Sequence, residues 1–278
     1  MEPYELQRSS EWLAHRRNKV TATNANVIMG YGFGLSIYDI WLDKLGMGKE
    51  IEVNERMQRG LTLEPIAREW AEKELGLKFD PTVRNHRTIE YMMASSDGWH
   101  AESNTLIEIK TSDKLHDEVK PYYYPQLQHL IETFEVDKIL YVSFDGISGR
   151  IIEVKRDDEY IDKLLEEEEK FWHCVTSFTE PELSEKDYVK RDDLIYTEKL
   201  MIYLNNKKNM EQWKELTEKS RKELIQMTEG PTQCMGCKIS ETVRSGNIDY
   251  KKFLNENQLN EKAEKYRKEP IRFWNIRE

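Results

Sequence analysis

Residues 95–111 have the sequence Ser-Ser-Asp-Gly-Trp-His-Ala-Glu-Ser-Asn-Thr-Leu-Ile-Glu-Ile-Lys-Thr, and the interpretation of the whole chain depends on this stretch. Residues 92–96 and 105–110 have the composition of short strands, and the polar segment between them predicts a hairpin connection. Side chains alternate along a strand, so Glu108 and Lys110 share a face. The hairpin is expected to return Asp97 to the side of Glu108, which would gather two carboxylates and one ammonium at one point.

These three charged groups predict a metal-dependent hydrolytic site. Carboxylate oxygens are hard ligands that suit Mg²⁺ or Mn²⁺. The lysine can orient or deprotonate a water molecule, or stabilise negative charge. In phosphodiester hydrolysis, a metal ion activates water and stabilises the leaving oxygen. The alternative is a surface ion pair at a sheet edge, because a single Glu-x-Lys is common. Asp97-Gly98 at hairpin distance brings the two interpretations level, so the rest of the chain must decide between them.

Composition limits the class of protein. The chain has 278 residues, of which 34% are charged and 38% belong to the hydrophobic set, so we expect one large domain or one domain plus an extension. No apolar run approaches the ~20 residues of a membrane span, and the N-terminus lacks the apolar core of a signal peptide. Three cysteines argue against a disulfide framework. We therefore expect an intracellular protein. Its net charge of −10 argues against a general DNA-coating protein, though not against a local basic groove.

The N-terminal segment combines basic residues with hydroxyls at a predicted helix start. Residues 9–17 predict a helix that ends in two arginines, of which Arg16 is the first. Thr23 or Asn24 is the predicted N-cap of a short helix that ends at Gly30. A hydroxyl at a helix N-terminus beside arginines is typical of a phosphate site, but on the local pattern alone ordinary capping beside a solvated basic turn is the better explanation.

The middle of the chain predicts helices and strands in alternation. Residues 54–75 predict a long helix, in which Pro65 marks a bend and Glu64 projects from it. The alternative for Glu64 is a surface ion pair with Arg68 at i,i+4. Residues 122–134 predict a helix whose three initial tyrosines either stack on bases or pack against the core. Two paired strands then precede a helix over 157–178, whose glutamate run indicates a solvated face.

This order of elements, with the acid and Glu-x-Lys on a central hairpin, resembles the restriction-endonuclease-like core of the PD-(D/E)xK nucleases. Five blocks in order further resemble the lambda exonuclease or YqaJ-type viral recombinase family. They are Trp12-x-x-x-Arg16 with Lys19-Val-Thr-Ala-Thr23, Arg59-Gly60 with Glu64-Pro65 and Ala67-Arg68, Ser95-x-Asp97-Gly98, Glu108-x-Lys110-Thr111, and Tyr123-x-x-Gln126-x-Gln128. The resemblance implies an α/β (α+β) fold with a central mixed sheet flanked by helices. We assign residues 1–185 to this nuclease core.

The resemblance also implies roles for single residues. Asp97 and Glu108 would hold divalent metal, Mg²⁺ or Mn²⁺, in a two-metal site, together with the main-chain carbonyl of Ile109. Lys110 would position the attacking water. Glu64 would act in the same site through a water molecule, and Gln126 would support it or touch the scissile strand.

Four further positions would contact DNA. Arg16, Thr23 and Ser95 match the family's pocket for a 5′-terminal phosphate, and Tyr123 is assigned to DNA binding. Thr23 replaces the more usual serine and keeps the hydroxyl, whereas Lys19 stands where glycine is common, so the turn before the helix is expected to differ.

The activity implied by the resemblance is 5′→3′ digestion of one strand of double-stranded DNA from an end, which leaves 3′ single-stranded overhangs. Family members act beside a single-strand annealing protein in phage recombination and often form trimeric rings. We therefore expect a phage- or prophage-encoded enzyme in the bacterial cytoplasm. The alternatives are an endonuclease or nickase of the same fold, and a non-catalytic DNA-end binding module.

Residues 186–278 predict a mostly helical extension without an assigned role. Residues 199–228 predict a charged helix, and residues 239–243 a strand. Cys234 and Cys237 have zinc-knuckle spacing, but a structural zinc site needs four ligands, so we expect free thiols. The tail from Tyr266 onward is basic and aromatic.

Overall fold

The computed structural model describes residues 10–48, 54–244, 246–247 and 249–257, together with the single positions 259, 263 and 266. The predicted cap at Ser9 and the tail from residue 267 lie outside these residues. The chain divides into two compact units, Met1–Tyr188 and Val189–Glu278. No helix in the described ranges is both long and apolar enough to cross a membrane.

The first unit contains six helices and a six-stranded mixed sheet among its described residues. In chain order the elements are α1 (Ser10–Arg17), β1 (Val20–Thr21), α2 (Ala22–Ile28), α3 (Ile37–Lys44), α4 (Glu55–Leu75), β2 (Asp80–Asn85), β3 (Met92–His100), β4 (Thr105–Thr111), α5 (Tyr124–Phe134), β5 (Lys138–Phe144), β6 (Gly149–Lys155) and α6 (Asp158–Thr176). The predicted α/β class with helices around a mixed sheet is confirmed.

Strand β3 is the centre of the sheet. It pairs with β2 along one edge, while β1 runs parallel to its start and β4 antiparallel to its end. Strand β4 continues the sheet through parallel β5 and antiparallel β6. The β3–β4 ladder covers only three residue pairs, from Gly98↔Ile107 to His100↔Thr105, so the two strands separate at Asp97 and Glu108.

Apolar side chains cover both faces of the sheet. On one face, Ile107 and Ile109 pack with Ala67 and Ala71 of α4. On the other face, Leu106 packs with α5 residues such as Leu130. Because side chains alternate along β4, Glu108 and Lys110 lie on the α5 face with Leu106.

One local prediction requires correction, and the predicted helix over residues 54–75 is confirmed. The N-cap of α2 is Thr21, not Thr23 or Asn24, and Asn24 completes the capping box because its Oδ1 accepts from the backbone N–H of Thr21 at 3.1 Å. Thr23 is therefore an exposed residue of the first turn. Helix α4 begins after the Asn54 cap and ends at Gly76, which has a φ of 66°, and it continues through Pro65.

The second unit contains α7 (Leu194–Gln226), a hairpin of β7 (Thr232–Cys234) and β8 (Cys237–Ile239), and α8 (Tyr250–Glu256). The strand predicted over 239–243 is wrong beyond Ile239. Cys234 and Cys237 are opposite each other in the hairpin and are free thiols.

Candidate nuclease active site

The carboxylates of Asp97 and Glu108 lie where β3 and β4 separate. Asp97 Oδ2 accepts a hydrogen bond of 2.7 Å from the backbone N–H of Ile109. The Asp97 side chain therefore accepts the hydrogen bond that a backbone carbonyl of β3 would accept if the two strands stayed paired here. In a strand, the N–H and C=O of one residue point to the same side, so the Ile109 carbonyl also faces this gap.

Glycine is required at the position after Asp97. A Cβ on Gly98 would lie 2.7 Å from Phe79 Cβ and 2.8 Å from Ile107 Cγ1, both on the α4 face. A larger residue would move β3 away from β4 and displace Asp97. Asp97 thus contributes charge to the site, and Gly98 permits the close packing of β3 against Phe79 and Ile107.

Glu108 is buried and held by two donors. It is 2% exposed, and its Oε1 accepts from Lys110 Nζ and from Gln126 Nε2, each at 2.6 Å. Its Oε2 has no hydrogen-bond partner among the described residues. Of the buried side-chain nitrogen and oxygen atoms in these residues, only Oε2 of Glu168 also lacks a partner. A buried carboxylate oxygen normally has a partner, so this oxygen is available to a ligand.

The electrostatics match a site for a cation. Burial, together with the charges of Asp97 and Glu64, raises the pKa of Glu108 to about 8, and Lys110 only partly opposes this. Burial also raises the pKa of Asp97 against the effect of Lys110, the Ile109 N–H and Arg68. Two carboxylates that repel each other in a buried place gain most from a bound cation.

Lys110 is protonated at neutral pH. Burial acts to lower its pKa, but the charges of Glu108 and Asp97 and the hydrogen bond to Glu108 outweigh burial and raise it. Its Nζ also lies 5.2 Å from the centre of the Tyr123 ring. The lysine is therefore a hydrogen-bond donor in this arrangement, with Glu108 Oε1 as its acceptor.

Glu64 joins the site through Arg68. The predicted i,i+4 ion pair between them is present, with Arg68 Nη2 donating to Glu64 Oε1 at 2.6 Å. It is not a free surface pair, because Arg68 Nε also donates to the Asp97 carbonyl at 2.6 Å. Arg68 thus ties α4 to the strand that carries Asp97.

Asn26 is a site residue that sequence reasoning missed. It is 1% exposed, and its Oδ1 accepts from the backbone N–H of Gln126 at 2.9 Å. Its Nδ2 donates to Gln126 Oε1 at 3.3 Å. These bonds orient the Gln126 amide so that its nitrogen faces Glu108. The signal in the sequence was weak, since Asn26 lies in a short helix one turn after Ala22.

The three residues predicted to bind a 5′-phosphate lie on β3 and on the two helices that flank β1, the strand that pairs with the start of β3. Strand β1 separates α1, which carries Arg16, from α2, which carries Thr23, and it pairs with Met92 and Met93. Ser95 follows two residues later on β3. Arg16 is half-buried, and burial lowers its pKa against the opposing effect of Asp43.

The oxygen donors between β3 and β4 fit a divalent metal ion. The described part of the chain holds no cluster of three or more His, Cys, Asp or Glu side chains arranged as a complete metal site. The fit rests on Asp97, on the unpartnered Oε2 of Glu108 and on the Ile109 carbonyl, which are all hard oxygen donors. Such a set suits Mg²⁺, which keeps several waters and needs few protein ligands.

Residues 11–135 match the model of the YqaJ-like viral recombinase domain. This stretch includes every residue of the site, from Arg16 to Gln126. The resemblance derived from the sequence motifs is confirmed.

Two known proteins are similar to this chain beyond the YqaJ-like domain model. The uncharacterized protein YqaJ of Bacillus subtilis (strain 168) is 24% identical over 178 residues, which cover 59% of this chain and 55% of that protein. This chain thus spans little more than half the length of that relative. The crystal structure of the alkaline exonuclease LHK-Exo from Laribacter hongkongensis aligns with a TM-score of 0.52 and 26% identity, over 62% of this chain and 95% of that one. The same exonuclease in complex with dAMP aligns equally well.

Proposed function

We propose that this chain is a Mg²⁺-dependent exonuclease that digests one strand of double-stranded DNA from its 5′ end and leaves 3′ single-stranded overhangs. The observation that carries the proposal is the unpartnered Oε2 of buried Glu108 beside Asp97 and Lys110. Support comes from the YqaJ-like viral recombinase domain and from the shared fold with an alkaline exonuclease. Manganese is expected to replace magnesium.

The residues of the site divide the work of hydrolysis. Asp97, Glu108 and the Ile109 carbonyl would hold the metal, which when bound polarises the phosphate and activates water. Lys110, as a protonated donor fixed by Glu108, orients the attacking water and stabilises charge on the phosphate oxygens. Gln126 keeps the Glu108 carboxylate in place, and Glu64, held by Arg68, orders water at the edge of the site.

Direction and context are parts of the same proposal. Arg16, Thr23 and Ser95 would bind a 5′-terminal phosphate, because a guanidinium and two hydroxyls are good phosphate donors and all three are grouped around the strand of Asp97. Tyr123 would contact the DNA next to Lys110. We further propose a trimeric ring, a single-strand annealing partner and a role in phage-type recombination in the bacterial cytoplasm.

The test is digestion of two labelled substrates in Mg²⁺. One is a linear duplex with a single 5′-phosphate on the labelled strand, and the other is the same DNA as a closed circle. We expect loss of the linear strand from its 5′ end while the circle stays intact. Nicking of the circle would instead indicate an endonuclease, and binding without cleavage would indicate a DNA-end binding module.

Two variants link the activity to this site. Asp97→Asn should abolish digestion, whereas Glu102→Gln, a matched change at the exposed hairpin turn, should leave it unchanged. Activity that survives in Asp97→Asn would refute the assignment of the site.

A further inference from the structure

A row of aromatic rings leads from the buried sheet to the surface beside Lys110. Tyr141 of β5 is fully buried, and the His116 ring stacks on it at 6.1 Å and 15°. Tyr123 stacks on His116 at 6.3 Å and 30°, and Phe33 follows at 5.8 Å and 33° from Tyr123. Phe33 is 62% exposed, so the row ends in a ring that is open to solvent.

Hydrogen bonds fix the inner rings. The Ser112 hydroxyl donates to the Lys114 carbonyl, so it accepts from His116 Nε2, 3.3 Å away. His116 Nδ1 is then left to accept from the Tyr141 hydroxyl at 2.6 Å. Burial and the charge of Lys120 both lower the pKa of His116, which keeps this neutral form. The inner part of the row is therefore a rigid base for Tyr123.

The outer ring is held in an unusual conformation. Phe33 has a φ of 47°, a left-handed conformation that few residues other than glycine, asparagine and aspartate adopt. The neighbouring turn depends on Gly32, where a Cβ would lie 1.8 Å from the Leu35 carbonyl oxygen. The edge of the Tyr122 ring supports Phe33 at a centroid distance of 5.0 Å and an interplanar angle of 83°. An exposed phenylalanine in a strained backbone is costly for the fold alone, which indicates a functional use.

The position of this ring relates it to the DNA. The Tyr123 ring lies 5.2 Å from Lys110 Nζ, so Phe33 is two steps from the catalytic ammonium. Glu108 lies below the surface, so we infer that the nucleotide whose phosphate is cut leaves the duplex as it enters the site. That nucleotide loses base stacking, which costs a few kcal/mol.

We propose that Phe33, supported by Tyr122 and Tyr123, is a stacking platform for the unpaired base next to the bond that is cut. The inference rests on the proposed nuclease function and names the ligand of this surface, a nucleobase of the digested strand. Stacking reads no sequence, because every base offers a flat aromatic face. The platform would replace the stacking that the nucleotide loses on entering the site.

The experiment is a double-mutant cycle between the ring and the base. The affinities of the wild-type protein and of Phe33→Ala for 5′-phosphorylated duplexes are measured in Ca²⁺. Each duplex carries either a normal or an abasic nucleotide at one of the first three positions of the digested strand. We expect that Phe33→Ala weakens binding about 5- to 100-fold on normal DNA, from the ~1–3 kcal/mol per stacked base. On the DNA that is abasic at the stacked position, the same substitution should have no effect.

Three variants control the cycle. Phe33→Trp should keep the coupling, and Phe33→Leu should lose most of it, because leucine is apolar but offers no ring. Tyr31→Ala removes an exposed aromatic ring of the same loop that is not in the row, and it should show no coupling. Equal weakening on normal and abasic DNA at all three positions would overturn the platform. If wild type digests duplex ends and the coupling is absent, only this inference fails; if coupling is present without digestion, only the nuclease proposal fails.

Discussion

Two buried glutamates in the first unit have the same local pattern and different surroundings. Glu108 and Glu168 are 2% and 0% exposed, and each has one oxygen in short hydrogen bonds and one without a partner among the described residues. Glu168 Oε1 is 2.6 Å from His129 Nδ1, and both side chains are fully sealed. Glu108 instead faces a second carboxylate, Asp97, and a lysine that is 21% exposed.

This difference separates a structural carboxylate from a candidate functional one. Glu168 has a single compensating partner and no path to solvent, so its charge stabilises the packing of α6 against α5. Glu108 has an excess of negative charge around it and an opening beside it. Burial and an unpartnered oxygen are therefore not sufficient signs of a site; repulsion that only a ligand can relieve is the better sign.

The largest expected effect is the difference in DNA digestion between Glu108→Gln and the same substitution at Glu168. Glu108→Gln should reduce DNA digestion by about 1,000-fold or more, because several kcal/mol of metal-dependent stabilisation are lost. Glu168→Gln should leave the rate per folded molecule within about twofold. The two variants are compared by their digestion rates at saturating Mg²⁺. Circular dichroism determines the folded fraction of each. Equal losses would mean that both glutamates act through the fold.

The second effect is on stability. His129→Ala should lower the free energy of unfolding by about 3 to 5 kcal/mol, because it leaves the Glu168 charge buried and uncompensated. Urea denaturation followed by fluorescence measures the change. Glu108→Gln is the contrast, since it relieves repulsion and should not destabilise the metal-free protein.

The stability effect at His129 also has a defined pH dependence. Burial acts to lower the pKa of His129, but the charge and hydrogen bond of Glu168, with the Met93 carbonyl and the charge of Glu132, together outweigh it, so the folded-state pKa lies above the ordinary value of 6.5. The stabilisation is therefore complete below about pH 6.5 and is lost as pH rises through the folded-state pKa. The gap between wild type and His129→Ala should narrow at high pH; a gap that widens would contradict the ion pair.

A third, smaller effect concerns Asn26. Asn26→Ala leaves the buried N–H of Gln126 without its acceptor, which should cost about 1 to 3 kcal/mol of stability. It should also weaken Mg²⁺ binding, since the Gln126 amide is then free to turn away from Glu108. Calorimetric Mg²⁺ titration checks this. Asn18→Ala, at an exposed helix end, serves as the control.

The smallest effect is the pH dependence of metal binding. With the pKa of Glu108 near 8, a proton occupies the metal-free site at neutral pH and must leave when Mg²⁺ binds. Apparent affinity should therefore rise with pH, by up to about tenfold per unit, and level off above pH 8. Affinity that is constant between pH 6.5 and 8.5 would show that the carboxylates are already ionised.

The hairpin and its charged residues were predictable because the interactions that define them are local. Strand alternation fixes Glu108 and Lys110 on one face, and the hairpin brings Glu108 back beside Asp97. Its first strand is longer than predicted, because β3 continues through Asp97 and Gly98 to His100 and the turn lies at residues 101–104. Asn26 was not predictable in this way, because it is 100 positions from Gln126 and its role depends on how α2 packs on α5.

The interpretation of the glutamate run in α6 as a solvated face was wrong for Glu168. It lies at helical spacing between Leu164 and Phe171, both of which are buried. That spacing was visible in the sequence, but the run of four identical residues concealed it. The buried partner His129 belongs to a different helix, so no local sequence pattern predicts the His129–Glu168 pair.

Because the backbone N–H of Ile109 donates to the Asp97 carboxylate, the NMR signal of this peptide group should report on the state of the site. Its proton lies directly against the carboxylate that gains or loses a proton or a cation. The nitrogen–proton resonance of Ile109 should therefore move with each change at the site, and its hydrogen–deuterium exchange should follow the state of Asp97. One backbone signal can thus be used to follow occupancy of the centre without any label on the DNA.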